Sequence, residues 1–126
     1  MHCSPDGLAF IACFEADGRT PDVSLAEQVV TARVSVPLAQ PAFDALVSLA
    51  YSIGAREFWR STLLVKLNAG DFFGAGAEFL VWDKVDGVRN AELAERRRAE
   101  KAMFCDDLDT EPQGSARRKP EPPEAA

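Results

Sequence analysis

The chain has 126 residues, 47% of them hydrophobic and 27% charged, which is enough for one domain with a real core. Its formal charge of −6 argues against nucleic-acid binding and against strong steering toward an anionic polymer. Three cysteines and one histidine, His2 at a terminus expected to fray, exclude a disulfide framework and a His/Cys zinc site, so no metal or cofactor is expected.

The first predicted helix starts with Ser4 as N-cap and Pro5 at its first position. Leu8, Ile11 and Glu15 follow on one face, Phe10 and Phe14 on another, with Glu15 at the helix end. Cys13, inside this apolar run, is expected to be a small buried hydrophobe. Asp17-Gly18-Arg19-Thr20-Pro21-Asp22 is a turn. The run Leu8 to Phe14 is too short for a secretion signal and lacks its basic flank, and no segment reaches transmembrane length. The expectation is therefore synthesis in a cytoplasm without a signal peptide, with any export supplied by another protein.

Ser24-Leu-Ala-Glu27 reads as a capping box opening a second helix through Leu25, Val29, Ala32 and Val36, closed by Pro37. A third helix starts near Pro41, carries Leu46, Leu49, Ala50 and Ile53 at helical spacing, and stops at Gly54. Ser61 or Thr62 starts a short helix ending at Asn68-Ala-Gly70, and Asp71 caps the next, with Phe79 and Trp82 in its apolar set. Residues 83–90 read as a loop, and Asn90 caps a last helix through Leu93, Arg97, Glu100 and Phe104. The expected core is Leu46, Ile53, Leu64, Leu67, Phe79, Trp82 and Leu93, and Trp59 reads as core in preference to a sugar platform. Arg96, Arg97, Arg98 and Lys101 make a basic cluster whose acidic surroundings point to a solvated helix face rather than a nucleic-acid site. Residues 106–126 hold four prolines, many charges and few apolar groups, so they are expected to form a disordered tail behind a domain of residues 1–105. No convincing strand is legible. The fold class expected is mainly α, a compact helical bundle with little or no β-sheet.

Three stretches resemble the phage-type lysozymes, the endolysins of glycoside hydrolase family 24. They are Gly7-Leu-Ala-Phe-Ile-Ala-Cys-Phe-Glu15, the central Phe43-Asp-Ala-Leu-Val-Ser-Leu-Ala-Tyr-Ser-Ile-Gly54 with Phe58 to Asp71, and Leu93-Ala-Glu-Arg-Arg-Arg-Ala-Glu100 after Trp82. The resemblance spans most of residues 4–104. It implies the helical lobe of such a lysozyme, with the glycan of bacterial peptidoglycan as substrate and Glu15 as general acid. It also implies an Arg of the last helix, Arg96 or Arg97, lying against that Glu, and a sugar-facing position at Ser52, where the family usually has an amide.

Glycoside hydrolysis generally uses two carboxyl groups across the scissile bond, one to protonate the leaving oxygen and one to activate water or attack the sugar. The family's second carboxylate sits in a hairpin after the Glu, with a Thr, inside a small β lobe. Here Glu15 is followed by a short turn and then by Ser24. Asp22 is the weak candidate for the missing group. The family's Gly before the Leu of the last helix is Glu92 here, which reads as a first-turn acid beside the helix dipole. Two functions follow as expectations. One is an impaired muramidase. The other is a non-catalytic remnant serving as a glycan-binding or protein-interaction module.

Overall fold

The computed structural model describes residues 1–15 and 21–106. Within them the chain forms α1 (Pro5–Cys13), α2 (Ser24–Arg33), α3 (Gln40–Ile53), α4 (Ala55–Trp59), α5 (Thr62–Asn68) and α6 (Phe72–Glu78), then a 3-10 turn (Phe79–Val81), β1 (Lys84–Val85), β2 (Val88–Arg89) and α7 (Ala91–Phe104). No described helix is long and apolar enough to cross a membrane.

α3 is the hub. It is buried from Ala42 to Ala50, all round its circumference, because α1, α2, α4 and α7 pack against it. The expected caps form where the sequence places them. The Ser4 hydroxyl accepts from the Gly7 amide at 3.0 Å, Ser61 from Leu64 at 3.2 Å, Asp71 from Gly74 at 2.8 Å and Asn90 from Leu93 at 2.9 Å. Gly54, at φ +100°, ends α3 in a conformation a side chain would resist and hands the chain to α4, which the sequence reading did not separate. Gly7 serves another purpose. A Cβ there would lie 2.6 Å from the Asp44 carboxyl carbon and 2.7 Å from the Cys3 sulfur, so its absence lets α1 close onto α3.

α2 departs from expectation. It runs only to Arg33, and its buried residues are Ala26 and Val30, with Val23 before them, while Leu25 is 65% exposed. Two apolar series at helical spacing were present, and packing against α3 selected the one carrying the small Ala26. The expected capping box does not form either. Asp22 accepts from the Ser24 amide (3.1 Å) and hydroxyl (2.7 Å), and Glu27 turns to the N-terminus, accepting from the Cys3 amide at 2.7 Å. Gln40 donates to the His2 carbonyl at 2.9 Å, so the terminus expected to fray is tied down.

The expected loop over 83–90 contains an antiparallel hairpin pairing Lys84 with Arg89 and Val85 with Val88. Asp86 and Gly87 turn it at φ +52° and +80°, as a type I′ turn demands. In the core, Leu46, Leu64, Leu67 and Phe79 are buried as expected. Ile53 and Trp82 only lean on it, and Leu93 is half-buried at its edge. Trp59 is 52% exposed instead of buried, its ring covered by the Arg33 guanidinium at 3.6 Å from the centroid. Cys13 is exposed, because α1 presents Ile11 rather than Cys13 to α3. The expected turn over 17–20 and the expected tail over 107–126 lie outside the described residues.

Candidate active site

Along α3, Gln40, Asp44, Ser48 and Ser52 recur every four residues and form a polar stripe on an otherwise apolar helix. Buried hydroxyls and carboxylates require partners. Those of Ser48 and Ser52 come from α7, whose Arg96, Arg97 and Glu100 share the facing surface. Ser48 donates to Glu100 Oε2 at 2.5 Å, and the same oxygen accepts from Arg96 Nε at 3.2 Å. Glu100 Oε1 accepts from Arg97 Nη1 at 2.6 Å, and Arg97 also donates to the Trp82 carbonyl at 2.7 Å and to Ser52 Oγ at 2.6 Å. Arg96 reaches outward from this network to Glu15, with Nη1 3.1 Å from Oε2. Two guanidinium groups are thereby balanced by two carboxylates.

The solvated basic face expected of Arg96 and Arg97 is therefore corrected: both are buried. Packing onto the hydroxyl stripe of α3 explains the reversal. It also resolves which arginine lies against Glu15, since Arg96 makes that contact and Arg97 braces Glu100 from the other side.

Glu15 lies just beyond α1, after its C-cap Phe14, and 29% of its side chain is exposed. The Phe14 ring sits 5.3 Å from the Arg96 guanidinium carbon and 5.3 Å from the Phe10 ring. Beside them opens a cleft of about 460 Å³. Its described walls are Cys13, Phe14 and Glu15 at the end of α1, Val85 of the hairpin, and Asn90, Glu92, Leu93 and Arg96 at the start of α7. A larger hollow of about 640 Å³ lies between α2 and α4, lined by Arg33, Arg56, Trp59 and Arg60 with apolar residues. Its described walls hold no carboxylate, so of these two the smaller cleft is the one suited to acid–base chemistry.

Of the residues singled out from sequence, Glu15 and Arg96 meet in the cleft, and Arg97 and Ser52 stand behind it. Asp22 is not among the described walls. Its exposed carboxylate is engaged by Ser24, and the Ser24 hydroxyl and amide hold it below its ordinary range. Neither Ser48 nor Glu100 had a site role in the sequence. The usable signal was the matched spacing of Ser48–Ser52 and Arg96–Glu100. Among the described residues no cluster of three metal-ligating side chains occurs.

A family profile described as Phage lysozyme matches residues 16–100. The chain is 45% identical over 87 residues to the endolysin of Acyrthosiphon pisum secondary endosymbiont phage 1, covering 66% of this chain and 60% of that relative. It is 40% identical over 83 residues to the endolysin of Salmonella phage P22, covering 66% and 56% respectively. The chain thus spans less than two thirds of the length of each of these two relatives. Its fold is similar to that of the muramidase domain of SpmX from Asticaccaulis excentricus, at a TM-score of 0.74 and 25% identity, covering 82% of this chain and 97% of that one.

Proposed function

The chain belongs to the phage lysozyme family, and on that premise we propose that it hydrolyses the glycan of bacterial peptidoglycan as a muramidase-type enzyme with reduced activity. The observation that carries this reading is the Glu15 carboxylate, part-exposed in a cleft and fixed by Arg96 at 3.1 Å. Glu15 is the general acid that protonates the leaving glycosidic oxygen. Arg96 positions it, and is itself held by Glu100 and Ser48. Arg97 and Ser52 are supports one layer deeper. The Ser52 hydroxyl is occupied by Arg97, so of Ser52, Arg96 and Arg97 only Arg96 lies where a sugar reaches.

The reduced activity follows from what separates Glu15 from Pro21. The segment between Glu15 and Ser24 does not match the family's Thr-Ile-Gly-Tyr-Gly-type hairpin with its second carboxylate and threonine. Without that lobe the reacting groups are held less well, and misplacement by about 1 Å can cost about 10²-fold in rate. The test is release of reducing ends from purified peptidoglycan. The native chain is expected to work slowly, Glu15→Gln to abolish release, and Asp22→Asn to cost far less. The second reading is a non-catalytic glycan-binding or protein-interaction module, favoured by the engagement of Asp22 with Ser24 outside the described cleft. It predicts cosedimentation with peptidoglycan that Glu15→Gln leaves intact, with no reducing ends from any variant.

A further inference from the structure

We propose that Glu92 is the second carboxylate of this cleft, the base that activates the attacking water; the inference rests on the glycoside-hydrolase reading above. Asn90 caps α7 through the Leu93 amide, which makes Glu92 the second residue of the helix. Arg96 follows one turn later on the same face. Both residues line the cleft, and Arg96 carries Glu15. Glu15 and Glu92 therefore reach one cavity from two elements, the end of α1 and the start of α7, with the Arg96 guanidinium holding the first and leaving the second unengaged.

The other described acids near the site are committed elsewhere. Glu100 is fully buried and accepts from Ser48, Arg96 and Arg97. Asp22 is taken by Ser24. Glu92 is exposed and makes no hydrogen bond or ion pair with another described residue. An unengaged carboxylate opening onto solvent within the same cleft as the acid is what a water-activating base needs: it can take a proton without first breaking a structural contact.

The step balances as a hydrolysis. Water attacks the anomeric carbon, forming the new C–O bond, and gives one proton to the Glu92 carboxylate. The glycosidic C–O bond breaks, and its oxygen takes the proton carried by Glu15. Exchange with solvent returns both carboxyl groups to their starting states. Because Glu92 is exposed to solvent and acts through a water rather than attacking the sugar, the product is expected with inverted anomeric configuration.

The experiment uses the full chain with Glu92→Gln and Glu15→Gln, and Glu95→Gln as a control, since Glu95 is exposed on α7 and outside the described cleft walls. Reducing ends released from purified peptidoglycan glycan are the first readout. Glu92→Gln is expected to lower kcat by about 10²–10⁴-fold, with KM and the thermal midpoint close to native, and Glu95→Gln to match the native chain. An aryl glycoside of an N-acetylglucosamine oligomer, whose leaving group needs no acid, is the second. On it Glu15→Gln is expected to recover activity and Glu92→Gln not to. Native turnover lost in Glu15→Gln but kept in Glu92→Gln overturns the role of Glu92 and leaves the hydrolase reading standing. No reducing ends from the native chain on either substrate overturns both.

Discussion

Arg97 is 1% exposed and spends its guanidinium on Glu100, Ser52 and the Trp82 carbonyl. A buried charge in such a setting adds little net stability, yet removing one partner leaves the others uncompensated. Arg97→Ala is expected to lower unfolding stability by about 3–5 kcal/mol, read by urea denaturation, whereas Arg98→Ala, on an exposed position of the same helix, should cost less than about 0.5 kcal/mol. The cysteines divide in the same way. Burial pushes the Cys3 thiol up to about 12, assisted by the charge and hydrogen bond of Asp44 and the charge of Glu27. A thiol raised this far stays protonated until the pH approaches that value, so it is a poor nucleophile at pH 8. Exposed Cys13 should be alkylated by iodoacetamide there at least about tenfold faster than Cys3, as peptide mass analysis would show. Equal rates would mean that the Cys3 pocket opens readily.

At the scale of elements, α3 joins the others. Its apolar sides pack against α1, α2 and α4, and its polar stripe clamps both ends of the site: Asp44 accepts from the Ser4 amide at 3.0 Å, and Ser48 reaches α7. Leu46 sits inside this helix with no exposed surface. Leu46→Ala should cost about 2–5 kcal/mol by lost burial and an unfilled cavity, measured as a shift of the denaturation midpoint. A cost near zero would mean that α3 is not the hub. The hairpin is the smallest element and still has a task, since it supplies Val85 to the cleft. Its signal was present in Asp86-Gly87, the dipeptide that favours a type I′ turn, but two-residue strands are too short to show alternation.

For the whole molecule, the acidic total of −6 conceals an uneven distribution, with Arg96 and Arg97 neutralised inside the fold and Arg33, Arg56 and Arg60 gathered around the hollow beside Trp59. Residues 107–126 bring four prolines, many charges and few apolar side chains, and on that composition we propose that they add nothing to the folded core. Deleting them is expected to leave the thermal midpoint within about 2 °C of the full chain, by calorimetry; a larger fall would show that the segment docks on the bundle.

The sequence by itself determined the helices with strong local signals. Ser4, Ser61, Asp71 and Asn90 cap where their side chains can reach an amide three residues on, and Gly54 stops α3, because caps and breakers act within one turn and need no distant partner. The resemblance of its motifs to the phage-type lysozymes also pointed to Glu15, Arg96, Arg97 and Ser52. Only the tertiary structure decided which apolar series of α2 turns inward, that Trp59 and Cys13 stay outside, and that Arg96 rather than Arg97 meets Glu15. Each of those outcomes depends on what lies opposite. A helix face is read from sequence as polar or apolar, but the buried guanidinium groups become tolerable only when Ser48 meets Arg96 and Ser52 meets Arg97 from 48 and 45 residues away, with Glu100 one turn along between them.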